Sequence, residues 1–346
     1  MFRQDRTNPS TAISNWRGRL DTLKGWPSTA VSTWLNGGLF GAAVTGAGYW
    51  AGGWIPGSPN SIKQISKLLY ADDSCAAITP VLTYTNYESG GYANAGVSGY
   101  WVGGRQDGSS TLLTLINKTD FDDDSTSTAS GSLDAACRFF AGLFANSGTA
   151  GYSCGGSPAT GRSDAIEKLL FADDSCGAIT PVLSQTTRAG AGCADSGTAG
   201  YQAGGNPDTS YTAVINKTAF SDDSTAAIVP TLSLARWGVE GLANGSTAGY
   251  WAGGAGASLS AVIDKTAFSD DSTAAITPTL VAVTRWAVGA SNSGTAGYWG
   301  GGYIASSANT AEIDKTDFSD DSTAGITADL ATAVNYAASC SNDSGL

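Results

Sequence analysis

Chemistry would first be sought in the acidic pairs of this sequence. Asp-Asp-Ser occurs six times, at Asp72 and Asp73, Asp123 and Asp124, Asp173 and Asp174, Asp222 and Asp223, Asp270 and Asp271, and Asp320 and Asp321. Such carboxylates offer hard oxygen ligands for calcium, and two of them roughly 5 to 9 Å apart could serve as the acid and base of glycoside hydrolysis. A lysine stands six residues before the second Asp of each pair: Lys67, Lys118, Lys168, Lys217, Lys265 and Lys315. Both features also have a structural reading. An Asp before Ser accepts backbone amides and closes a turn, and a lysine bridging its own hairpin to that turn contributes about 0.2 to 1 kcal/mol. Six equal copies favour structure, because catalysis needs one asymmetric cluster. No EF-hand pattern is present, and a calcium site wants six to eight oxygens. The expectation is therefore no cofactor, with calcium at the D-D-S turns as the alternative.

Composition narrows the field further. The 346 residues include 18 basic and 30 acidic side chains, a formal charge of -12, and no histidine. Histidine acid/base chemistry and histidine-bound zinc or iron are excluded, and no basic run could follow a nucleic-acid backbone. G-x-S-x-G, P-loop and sialidase-type Asp boxes are missing. The chain reads as a non-enzyme, with a polysaccharide-active hydrolase as the alternative. Cys75, Cys137, Cys154, Cys176, Cys193 and Cys340 lack C-x-x-C spacing. They read as small buried side chains, with one or two disulfides left open. No apolar run approaches 18 residues, so no membrane insertion is expected, and the N-terminal residues show no signal-peptide core.

What positions these residues is a repeat. The Tyr of G-Y-x-x-G-G recurs at Tyr49, Tyr100, Tyr152, Tyr201, Tyr250 and Tyr298 with spacings of 51, 52, 49, 49 and 48, and the second Asp of D-D-S keeps spacings of 51, 50, 49, 48 and 50. A period near 49 lies in the range of β-propeller blades. Each unit divides into four short strands: a small-residue strand such as R-W-G-V-E-G-L-A from Arg236, then T-A-G-Y-W-A-G-G, A-V-I-D-K-T-A-F and T-A-A-I-T-P-T-L, separated by Gly and Asp turns. The expected fold is all-β, one seven-bladed β-propeller domain over 1–346, with repeats near 1–48, 49–99, 100–151, 152–200, 201–249, 250–297 and 298–346. A composite blade is expected to close it, with an innermost strand near 333–341 and outer strands from 1–27, while 29–49 supplies the strand before Tyr49. The recurrent Tyr and Trp residues are expected to pack blade against blade.

At these residues the pattern resembles the kelch repeat. G-Y-W-A-G-G is similar to the kelch strand ending in double glycine, V-I-D-K-T-x-F to its third strand, and L-S-L-A-R236 to the segment ending in the kelch arginine, whose place Arg138, Arg188 and Arg285 are read as sharing and Asn86 and Asn335 as leaving. The usual kelch tryptophan of the fourth strand is replaced by small residues. The fuller text also resembles repetitive propeller proteins of bacteriophages, which implies a tail, fibre or other external virion location. The implied partners are other virion structural proteins, a host surface glycan or receptor, or further copies of the chain. The loops after each G-G vary (54–61, 105–111, 157–164 and 206–211) and carry Trp54, Arg105, Arg162 and Tyr211 as candidate partner-binding residues.

Overall fold

Small and aromatic residues alternate up to a pair of glycines in every repeat, and this segment becomes the second strand of a sheet. The computed structural model describes residues 46–57, 60–107, 111–305 and 308–342, all within Thr45–Leu346, one of two units into which the chain divides. No helix occurs among these described residues, and four-stranded antiparallel sheets dominate. The second sheet is typical: Gly90–Asn94, Ser98–Val102, Leu115–Asp120 and Thr126–Ser132, in that order across the sheet. The third to sixth sheets repeat the plan around Ala150–Pro158, Ala199–Ala203, Ala248–Ala255 and Ala296–Gly300. The architecture is propeller-like.

The first sheet is assembled from both ends of the described chain. Ala338–Ser341 pairs with Ala47–Ala51, Tyr49 lying opposite Cys340, and Ile65–Leu69 and Ser74–Ala77 complete it. This corrects the expected closure: the C-terminal strand takes the place assigned to 29–49, beside Tyr49, and does not wait for a separate blade. The outer strands expected from 1–27 lie outside the described residues. Close packing explains the choice, since a Cβ at Gly99 would stand 2.5 Å from Cys340 Sγ, a spacing that suits a narrow strand of Ala, Ser and Cys.

One joint, repeated, links sheet to sheet. Tyr49, Tyr100, Tyr152, Tyr201, Tyr250 and Tyr298 are fully buried. Each stacks on the ring that precedes the next sheet's D-D-S turn, as Tyr201 does on Phe268 at 4.9 Å, with Tyr70 replacing Phe in the joint to Tyr298. Its hydroxyl donates to the second Asp of that turn: Tyr201 to Asp271 at 2.6 Å, Tyr250 to Asp321 at 2.7 Å, and Tyr298 to Asp73 at 2.6 Å. The lysine of the same sheet joins the same carboxylate, as in Lys217–Asp271 at 2.9 Å and Lys315–Asp73 at 2.7 Å. Burial, and then the bond to Asp, drives each of these tyrosines well above its usual pKa.

The lysines therefore do not bridge their own hairpins, as expected, but reach the following repeat. Lys67 sits opposite both Tyr49 and Ala76 in register, so it shares the tyrosine's face, and that face packs on the next sheet. Among the described residues six sheets are linked in this way, Lys315 of the sixth reaching Asp73 of the first. The first Asp of each pair does the local work, its Oδ1 accepting the amide of the following Ser, as in Ser272 N to Asp270 at 3.0 Å. All six cysteine thiols are free.

The clamping Asp residues hold left-handed backbone angles, φ 56 to 60°, which cost Asn less than Ala. Asp271→Asn should thus remove the charge and one of the two acceptor oxygens, costing about 1 to 2 kcal/mol. Asp271→Ala should cost about 1 kcal/mol more through strain. Urea unfolding of the two variants against wild type measures both.

Candidate functional site

Where the joints are six times alike, one set of positions is six times different. Just before or at the start of each innermost strand, Glu88, Phe139, Ala189, Gly238, Trp286 and Tyr336 occupy equivalent places, and all are left-handed, with φ of 59, 49, 52, 63, 59 and 55°. They are linked through the backbone: Glu88 N donates to Tyr336 O, Phe139 N to Glu88 O, Ala189 N to Phe139 O, Gly238 N to Ala189 O and Trp286 N to Gly238 O. Beneath them lies a cavity of about 90 Å³, lined by the beginnings of the innermost strands of all six sheets.

Glycine is the residue such a backbone asks for, and only Gly238 supplies it. The other five hold this conformation with a side chain, at about 1 to 3 kcal/mol for each bulky residue. Gly238 has its own use: a Cβ there would meet Trp286 Nε1 at 2.8 Å, so its absence lets the indole lie across the mouth. Trp286 contacts Tyr336 at 4.0 Å and Trp237 at 5.2 Å between centroids, Tyr336 meets Phe139 edge-on at 5.2 Å, and Tyr211 lies parallel to Trp237 at 6.3 Å. An aromatic arc results.

Arginines flank the arc. Arg138 and Arg188 lie 5.2 and 5.7 Å from the Phe139 ring, and Arg285 lies 3.8 Å from that of Trp286. Arg138 donates to Glu88 at 2.8 Å. Burial raises the Glu88 carboxyl, with Arg138 opposing; burial also presses Arg188 down, helped by the charges of Arg162 and Arg138. The sequence reading aligned Arg138, Arg188 and Arg285 with Arg236, and this is off by one residue. Gly205 N donates to Arg236 O, as Gly104 and Gly156 N do to Cys137 and Thr187 O, so Arg236 corresponds to Cys137 and Thr187. One residue flips a strand's side chains to its other face. Arg236 is accordingly 1% exposed and bound to Asp264, whereas the other three lie over the Phe139 and Trp286 rings that line the cavity.

The candidate loop residues fall on or beside this face. Arg105 bridges to Tyr87 through the backbone, its guanidinium 5.8 Å from that ring. Arg162 is held by Asn206 and, at 3.0 Å, by Asp208. Trp54 is tied by its backbone to Asn335, and its carbonyl accepts from Asn309. Tyr211 is exposed at 40%, while Trp54, Arg105 and Arg162 are half-buried rather than free as the sequence suggested. Glu88, Phe139, Trp237, Trp286 and Tyr336 were missed. Their signal is a column of unlike residues directly after the fourth strand's tail, in a repeat that otherwise barely changes. Among the described residues no group of three or more Asp, Glu or Cys is placed to hold a metal, and in the D-D-S turns the carboxylates are committed to Ser, Tyr and Lys.

No protein-family model matches the chain, and no curated protein matches it either.

Glu240 lines the cavity below the arc, and burial pushes its carboxyl from 4.5 up to about 8, against the Gly289 and Gly241 amides. A raised carboxyl pKa gives stability that is complete below pH 4.5 and lost as pH climbs through 8. Glu240→Gln should therefore match wild type at pH 4 and exceed it by about 1 to 3 kcal/mol at pH 8, the full shift being tempered by a cavity open at its mouth. Chemical denaturation across that range is the check.

Proposed function

We propose that the six sheets close as a six-bladed, kelch-like β-propeller that works as a non-enzymatic binding module, holding a protein or glycan partner on the face formed by the aromatic arc and its arginines. The observation that carries this reading is that Glu88, Phe139, Ala189, Trp286 and Tyr336 hold a left-handed conformation at equivalent positions where the residue differs from repeat to repeat. Backbone strain of this kind persists where a site uses it, and aromatic and arginine side chains are the usual anchors of interfaces. The repeat's resemblance to bacteriophage propeller proteins supports a structural or attachment role at the outside or tail of a virion, with other virion proteins or a host surface glycan as partners.

The hydrolase alternative has one feature in its favour, since Glu88 and Glu240, both raised by burial, line the same cavity. Incubating the protein with a panel of bacterial surface polysaccharides separates the two. Binding without shortening of the chains is expected, weakened at least tenfold in the double variant Trp237→Ala/Trp286→Ala. Depolymerisation that disappears in Glu88→Gln or Glu240→Gln would establish the hydrolase instead, and undiminished binding by the tryptophan double variant would move the site off this face.

A further inference from the structure

Positive charge in this acidic protein is distributed with a purpose. Of the described lysines, six are clamped to the next sheet's Asp, and Lys63 donates to Thr83 O. Among the described arginines, Arg236 is bound to Asp264, Arg138 to Glu88 and Arg162 to Asp208. Arg105, Arg188 and Arg285 have no carboxylate within ion-pair distance among the described residues; Arg188 and Arg285 lie over the Phe139 and Trp286 rings that line the cavity, and Arg105 lies over Tyr87, the residue before the cavity-lining Glu88. Their Nε atoms are buried and unpartnered, and so is Trp286 Nε1 beside them. A buried donor without an acceptor is costly, and Arg188 and Arg285, which have no carboxylate partner beside the cavity-lining rings, are groups that an anionic ligand would pair.

Rings adjoin the same cavity: Trp286 and Tyr336 line it, Trp286 lying between Arg285 and Tyr336, and Trp237 meets Trp286 at 5.2 Å with Tyr211 parallel to Trp237 within 3°. Flat apolar faces beside forked donors fit a pyranose ring that carries a carboxylate, the ring lying on the aromatics and the carboxylate taken bidentately by guanidinium. A cavity of about 90 Å³ admits a few waters or one small substituent, at ~30 Å³ per water, and not a whole ring. The sugar would therefore lie across the mouth. An acidic peptide would satisfy the arginines but leave the parallel rings without a matching surface.

We propose that this face recognises a uronate-bearing polysaccharide, its carboxylates meeting Arg188 and Arg285 and its rings stacking on Trp237 and Trp286; the inference rests on the binding-module reading given above. Oligogalacturonate, a neutral oligosaccharide of the same length and oligoglutamate are titrated into the full-length protein, read by calorimetry and tryptophan fluorescence at low and moderate salt. Oligogalacturonate is expected to bind at least tenfold more tightly than either comparator and to weaken with salt. Arg188→Ala and Arg285→Ala should each lose at least tenfold, Arg188→Lys should not restore the fork, and Lys63→Ala, on an exposed lysine elsewhere, should bind as wild type. Thermal unfolding confirms that each variant is folded; should Arg285→Ala not fold, Arg188→Ala decides alone. Equal binding of the neutral sugar overturns the charge claim while leaving a glycan site on this face. Preferential binding of oligoglutamate overturns the sugar claim. No binding of oligogalacturonate overturns the proposal outright, and the polysaccharide panel with the tryptophan double variant then reports separately on the binding-module reading.

Discussion

The sheets depend on one carboxylate in each turn. Asp73, Asp124, Asp174, Asp223, Asp271 and Asp321 hold a left-handed backbone, which aims the side chain back at the preceding sheet, where a buried Tyr hydroxyl and a Lys ammonium converge on it. Neither donor could be buried to this depth without it: an unpaired phenol hydroxyl carries a desolvation cost, and an unpaired ammonium a far larger one. The aromatic stack beneath supplies the area, about 150 to 250 Å² per ring, and the carboxylate fixes the geometry. A sheet of four short strands has two faces to cover, and this joint covers one of them with the next sheet.

Because the joint is the same six times, it cannot by itself carry specificity. It frees the inner ends of the strands to differ. Glu88, Phe139, Ala189, Gly238, Trp286 and Tyr336 share a left-handed backbone and differ in side chain, so the scaffold tolerates variation at this point. The arginines follow the same division. Arg236 faces into its sheet and is spent on Asp264, while Arg138, Arg188 and Arg285, one register position along, lie over the Phe139 and Trp286 rings that line the cavity. A rigid symmetric frame with an asymmetric mouth is an arrangement suited to recognition, since the anchors come preorganised and little entropy is lost when they are used.

Much of this was legible in the sequence. Period, strand order within the repeat, the turn role of D-D-S and the packing role of the Tyr and Trp stripe all follow from spacing and residue type, because a repeated residue must do a repeated job. Three things did not follow. The partner of each lysine was misjudged, since sequence distance favours its own hairpin over a turn 54 to 57 residues away, or 242 for Lys315, and only the shared face with Tyr reveals the choice. Closure was misplaced because A-A-S-C-S at the C-terminus can serve any sheet lacking a narrow strand. The candidate site was not read directly: the variable loops pointed to Trp54, Arg105, Arg162 and Tyr211, and aligning Arg138, Arg188 and Arg285 with Arg236, one residue off, hid the ring positions beside them.

The head-to-tail joint is tested most directly where sequence makes it least expected, between Lys315 and Asp73, which lie 242 residues apart yet 2.7 Å from nitrogen to oxygen. A double-mutant cycle with Lys315→Met and Asp73→Asn measures their coupling, and a parallel cycle pairs Lys315→Met with Asp321→Asn in the lysine's own repeat. Coupling of about 0.5 to 1 kcal/mol in the first cycle, with additivity within about 0.3 kcal/mol in the second, is the predicted result. Additivity in the first cycle with coupling in the second would mean that the lysines bridge their own hairpins, and would contradict the joint on which the sheets are assembled.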